Sequence, residues 1–84
     1  MFDKFIEKTL ELREYNEKIS YTIAKELALI EVNMIWYPTR FKENLDRLRS
    51  LSQHIQQSFK NNDLAKELAS SIRNLIKTLE NKIK

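Results

Sequence analysis

The sequence contains no cysteine, which excludes disulfide bridges, thiolate catalysis and cysteine-based zinc sites. It also contains no glycine and only one proline, so turns that need a positive φ lack the residue that usually forms them. This composition, rich in Leu, Ile, Lys, Glu and Asn, is typical of a protein built only from helices. With 84 residues, we expect one domain, stabilised by tight helix packing or by surface buried between subunits.

Signatures of enzymes and of metal sites are missing as well. His54 is the only histidine, and no Glu-x-x-His repeat of the di-iron bundles occurs. Without glycine, neither a nucleophile elbow nor a phosphate-binding loop can form in its usual way. We therefore expect a protein that is not an enzyme and that uses no metal or cofactor.

The longest apolar stretch is residues 24–37 (AKELALIEVNMIWY), and it is too polar to span a membrane. Lys25, Glu26, Glu31 and Asn33 interrupt it, and no apolar run approaches the roughly 20 residues of a transmembrane helix. The N-terminal residues are amphipathic and mixed in charge, unlike a signal peptide. These features predict a soluble, cytoplasmic protein with no membrane partner.

The same stretch ends a long first helix predicted over residues 3–37. At about 100° per residue it carries two apolar stripes on different sides of the helix. The first stripe is Ile23, Leu27, Ile30 and Met34, and the second is Ala28, Val32 and Ile35. A helix that is apolar on two faces must be covered on two sides, so we expect a central helix. Apolar content thins between Arg13 and Lys18, where the helix could bend instead of running straight.

Two further helices are predicted over residues 38–60 and 63–83, with corners at Pro38 and at residues 60–63. A straight first helix would be about 50 Å long, whereas the other two would span only roughly 30–35 Å. The N-terminal third of the first helix would then extend beyond a compact three-helix bundle.

That overhang would expose four apolar side chains, Phe2, Phe5, Ile6 and Leu10. A soluble protein seldom leaves such a patch uncovered, so we expect a second copy to cover it through coiled-coil-like pairing. The fold prediction is an all-α, up-down-up three-helix bundle with a long first helix, completed by homodimerisation. The predicted partner interface consists of these four residues and Glu31.

Glu31 lies between the two apolar stripes, where a lone carboxylate is costly to bury. It could pair with an arginine or lysine across an interface, for which Arg40, Arg47 and Arg49 are candidates, or it could be a site carboxylate with a raised pKa. Alternatively, it lies at the rim between helices and reaches water. Trp36 and Tyr37, at the first corner, could form an aromatic binding surface or cap the end of the core; the second reading is the more usual one.

Positive charge is concentrated in the second half of the chain. Residues 1–34 carry five Lys and Arg against seven Asp and Glu, and residues 35–84 carry ten against five. Four cations flank the stripe of the second helix and could bind phosphates: Arg40, Lys42, Arg47 and Arg49. The more usual role of cations that flank a core stripe, and the one we favour, is to cover apolar surface with their stems and to pair with Glu7, Glu11, Glu14 or Glu17. A nucleic acid is therefore a possible partner, although not the favoured one.

The first third of the chain resembles the start of the all-α chorismate mutases. The resemblance is carried by Leu12-Arg13, Ile19, Ile23 and Leu27. It implies three helices, an intertwined dimer and a site in which several cations hold a dicarboxylate. That family has a second arginine later on the first helix, where this sequence has Ile30 and Glu31, and a carboxylate would repel such a substrate.

Residues 63–80 (DLAKELASSIRNLIKTLE) are similar to a helix-turn-helix of the repressor type. Leu64, Ala65, Leu68 and Leu75 match its apolar positions, with Ala69 where glycine is usual at the turn. The resemblance implies DNA binding. However, the apolar stripe continues through the supposed turn, which favours one continuous helix. We therefore expect first a non-enzymatic helical interaction protein (an adaptor, regulator or immunity-like factor), second a dimeric nucleic-acid-binding protein, and third a chorismate-mutase-like enzyme.

Overall fold

The computed structural model describes residues 2–83, apart from the side chain of residue 83, and this part of the chain contains helices and no strand. The all-α class predicted from the sequence is confirmed. Helices α1 (Asp3–Glu11), α2 (Glu17–Trp36), α3 (Phe41–Ser58) and α4 (Asp63–Ile83) follow one another, with 3-10 turns at Leu12–Glu14 and Pro38–Arg40.

The prediction of a single helix over residues 3–37 is wrong, because the chain leaves the α-helical path between α1 and α2. Asn16 adopts an extended conformation (φ −160°, ψ 99°), and its side-chain oxygen accepts a hydrogen bond from the Ile19 N–H at 3.0 Å. This N-cap satisfies one of the donors that a helix start leaves without a partner. Leu12 is fully buried at the bend. The break therefore falls in the polar segment where the apolar stripe is interrupted.

Because of this break, α1 folds back and lies antiparallel against α2. Near the connection, the buried Ser20 hydroxyl donates to the Thr9 carbonyl, and at the far end the Phe2 N–H donates to Glu31. The described residues extend only 37 Å along the longest axis, shorter than the straight helix of about 50 Å that we expected.

Because α1 folds back, the expected overhang does not exist. Phe2 is fully buried, and Phe5 and Ile6 are half-buried and pack against the core. Leu10 is also half-buried. The expectation that these side chains are exposed is wrong. Folding α1 back against the core removes their apolar surface from water, which is favourable.

The remaining elements differ less from the prediction. Pro38 begins a 3-10 turn, and α3 starts only at Phe41. Asn61 takes a φ of 64° at the corner before α4, a left-handed conformation that Asn tolerates better than most residues. Helix α4 runs through Ala69 without a turn, so the helix-turn-helix geometry is absent from residues 63–83.

Within residues 2–83, four α-helices enclose the core, rather than the three expected. Helix α1 packs against α2 and α4, and α3 packs against the same two helices. Fully buried aliphatic side chains from α2, α3 and α4 meet between them: Ile23, Leu27, Ile30, Leu48, Ile55, Leu68 and Ile72. This arrangement covers one side of α2 and leaves its other side facing outward.

Candidate functional site

The outward side of α2 carries a row of exposed apolar residues, which we call the outer face. Its members are Tyr21, Ala28, Leu29, Val32, Ile35 and Trp36. The five large side chains among them are between 45% and 73% exposed, and Trp36 is the most exposed. Steps of seven, four and three residues lead from Tyr21 through Ala28 and Val32 to Ile35, which keeps these residues on one side of a helix. Leu29 and Trp36, seven residues apart, widen the row.

The opposite side of α2, which we call the inner face, is the buried one. It consists of Ser20, Ile23, Leu27, Ile30 and Met34. The two faces are centred roughly 160° apart on the helix. The same helix therefore contributes one apolar face to the core and presents another to solvent.

This arrangement bears on two expectations. We expected the helix to be covered on both sides, and residues 2–83 cover only its inner face. We also favoured Trp36 and Tyr37 as a cap on the core, and this is wrong because both side chains are more than half exposed. The sequence reasoning placed Ala28, Val32 and Ile35 on a second stripe but missed Tyr21, Leu29 and Trp36. The seven-residue spacings 21–28–35 and 29–36 could have identified them.

Charged side chains lie in the middle of the outer face and near both ends of α2. Lys25 lies within the row and is exposed, and Glu17 begins α2. At the other end, the Arg40 guanidinium lies 5.7 Å from the centre of the Tyr37 ring. This cation–π contact holds a positive charge beside the C-terminal end of α2.

Glu31 lies on the α1 side of α2 and is half-buried. It accepts a hydrogen bond from the Phe2 N–H at 2.8 Å. A hydrogen bond from the chain's amino terminus, followed by the one from Phe2, lowers the pKa of Glu31 below its ordinary value of 4.5, against the opposing effect of burial. The alternative of a raised pKa is therefore wrong, and the contact with Phe2 lies within the chain.

The four predicted anion-binding cations have other neighbours. Arg47 forms an ion pair with Glu26 at 2.6 Å, and Arg49 contacts both Asp46 and Glu80 at 3.0 Å. Lys42 is exposed, and Arg40 stacks on Tyr37. The expected partners Glu7, Glu11, Glu14 and Glu17 are wrong for Arg47 and Arg49. The bend directs α1 toward α4, where Lys8 pairs with Glu67 at 3.1 Å. To bind a phosphate here, Arg47 and Arg49 would first have to break their ion pairs with Glu26, Asp46 and Glu80.

A groove of about 390 Å³ lies between α2 and α3. Its lining includes the Glu26–Arg47 ion pair together with Asp46, Leu51 and His54. Within residues 2–83, no group of three or more His, Asp or Glu side chains could hold a metal ion. None of the helices in this described range combines the length and the hydropathy needed to cross a membrane.

Comparison with protein-family models, with curated proteins and with solved structures finds no match to this chain.

Proposed function

We propose that this chain is a non-enzymatic helical interaction protein and that it binds another protein through the outer face of α2. The observation that supports this most strongly is the location of the exposed apolar side chains. Among the described residues, every exposed large hydrophobic side chain lies between Tyr15 and Tyr37, and five of the seven belong to the outer face. Scattered exposed apolar residues are ordinary, whereas a contiguous set marks a contact surface.

The size of the outer face supports the same function. From the exposed fractions of its side chains, the apolar area is on the order of 600 Å², at the top of the roughly 300–600 Å² found for the largest patch of a monomer. The steps of four and three residues along the face are those with which one helix packs against another. A helix is therefore the partner element that the face fits.

The other functions expected from the sequence have less support. The phosphates of a nucleic acid bound to this helix would have to compete with the carboxylates that already contact Arg47 and Arg49. The homodimer expected from the sequence remains compatible with the proposed function, but through α2 rather than through Phe2, Phe5, Ile6 and Leu10. Its surface would differ because α1 is folded against the core.

A single charged residue on the outer face tests this function. We expect Ile35→Lys to remove the chemical cross-links that the wild-type chain forms in extracts of the cells that produce it. Ile35 is 64% exposed, so the lysine should leave the fold intact while placing a charge within the contact, near the Trp36 end of the outer face. Circular dichroism and thermal unfolding verify that the variant is folded.

Thr78→Lys is the matched control, because it introduces the same residue at an exposed position of α4. The control should keep the wild-type pattern of cross-linked species, both self-adducts and adducts with other proteins. A pattern that survives Ile35→Lys unchanged, or a wild-type chain that forms no adduct at all, would rule out the outer face as a contact surface.

A further inference from the structure

We infer that the partner on the outer face is a second copy of this chain, with the two α2 helices packed antiparallel about a two-fold axis between Ala28 and Leu29. This inference rests on the proposed function and names the partner. A two-fold axis requires a surface that is complementary to itself. The size, residue pattern and charge of the outer face each bear on that requirement.

The area is sufficient for a small symmetric interface. A stable interface takes about 800 Å² from each partner, and the outer face supplies on the order of 600 Å² from apolar side chains alone. The aliphatic stem of the exposed Lys25, which lies within the row, extends this area. Two copies would therefore bury an area at the lower end of the range for specific interfaces.

The sizes of the side chains are arranged similarly in both directions along the helix. A large aromatic residue lies near each end, Tyr21 and Trp36, and the smallest residue, Ala28, lies in the middle. About the proposed axis, Tyr21 faces the partner's Trp36, and Ala28 faces the partner's Leu29. A small residue opposite a larger one at the crossing point allows two helices to approach closely.

The charges favour the antiparallel direction over the parallel one. In the antiparallel arrangement, Glu17 of one copy lies toward Arg40 of the other, and the symmetry forms this pair twice. Lys25 lies opposite Val32, where its aliphatic stem can cover apolar surface. Parallel packing would instead place Glu17 beside Glu17 and Lys25 beside Lys25, and like charges facing each other destabilise an interface.

The first test is the solution molar mass of the purified chain, measured by light scattering across a range of concentrations. We expect the mass to rise from 10.1 kDa toward twice that value. Trp36 is the only tryptophan and is 73% exposed, so its emission should shift to shorter wavelength as the dimer forms. Ile35→Lys should weaken self-association by about tenfold or more, and Thr78→Lys should leave it unchanged.

Single cysteine variants test the direction, since the natural chain has no cysteine. We expect oxidised Ala28→Cys to form a disulfide-linked dimer, because the two copies of residue 28 lie beside the axis and within reach of a disulfide. Tyr21→Cys should stay uncrosslinked, because the two copies of residue 21 would be about 22 Å apart. Efficient cross-linking of Tyr21→Cys with itself would exclude the antiparallel arrangement.

Two other results would also overturn the inference: a chain that stays at 10.1 kDa at every concentration, or a dimer that Ile35→Lys does not weaken. The proposed function would be judged separately. If the purified chain is a monomer but Ile35→Lys still removes adducts with other proteins in extracts, only the second copy is excluded, and the partner is a different protein. If those adducts persist, the outer face itself is excluded.

Discussion

Helix α2 has two apolar faces that lie in opposite environments. Leu27 on the inner face is fully buried, whereas Leu29, two residues along, is 45% exposed. The inner face packs against α1 and α3, and the outer face is exposed to solvent. Since both faces favour burial, the difference lies in how many apolar surfaces the rest of the chain can supply. Once α1 and α3 have covered one side of α2, and α4 has packed against α1 and α3, the described part of the chain has no further helix for the other side.

Under the proposed function, this difference lets one helix serve both folding and recognition. We expect an inner-face substitution to act on stability, because it opens a cavity in the core. We expect an outer-face substitution to act on association instead, because the folded chain already leaves that side chain in water. Predictions about the two faces should therefore separate stability from binding.

The largest expected effect compares two identical substitutions. Leu27→Ala should lower the free energy of unfolding by about 2–5 kcal/mol, the usual cost of truncating a buried leucine. Leu29→Ala should change it by no more than about 0.5 kcal/mol, as for most surface positions. Urea denaturation followed by circular dichroism, at the lowest usable protein concentration, measures both. Similar losses at the two positions would mean that the outer face is also buried in the chain that is being measured.

A smaller effect is expected at the bend that allows α1 to cover the inner face. Asn16→Ala removes the side chain that caps α2 and should cost about 1 kcal/mol of stability. Asn74→Ala, at an exposed position within α4, is the control and should not destabilise the protein. Urea denaturation would measure both variants. An Asn16→Ala chain as stable as wild type would mean that the break does not depend on its cap.

An effect of similar size at pH 7, which disappears in acid, is expected at Glu31, which joins α1 to α2 between the two faces. Because its pKa is lowered in the folded chain, the carboxylate contributes stability that is fully present above pH 4.5 and is lost as the pH falls through the lowered value. Glu31→Gln should therefore be less stable than wild type by on the order of 1 kcal/mol at pH 7. This difference should shrink progressively in acid.

Thermal or urea unfolding at pH 7 and at several values below 4.5 measures this dependence. Glu7→Gln, at an exposed position of α1, is the matched control and should track wild type at every pH. A Glu31→Gln deficit that stays constant down to the lowest pH would show that the carboxylate's charge is not what stabilises the contact.

Local sequence features account for much of the fold. The missing glycine and the repeated apolar stripes predict helices, Pro38 predicts the first corner, and α4 occupies the predicted range Asp63–Ile83. The weak segment Arg13–Lys18 contains the break, but its helix propensity allowed a straight helix equally well. Whether the helix breaks depends on two free energies: the gain from burying Phe2 and Leu12 in the core and the loss of helical hydrogen bonds at the break. The first depends on contacts between residues distant in sequence, which a local pattern does not contain.

For the same reason, the sequence predicted only part of the candidate site. Periodicity identified two apolar stripes on α2, because side-chain direction on a helix follows from position alone. It could not say which stripe the core would take, since that depends on where α1 lies after the bend. The sequence by itself determined that the protein is helical and that α2 has two faces to bury. Only the tertiary structure decided that the core covers Leu27 and leaves Leu29, Ile35 and Trp36 exposed, because a short chain supplies enough apolar surface for one side of its central helix.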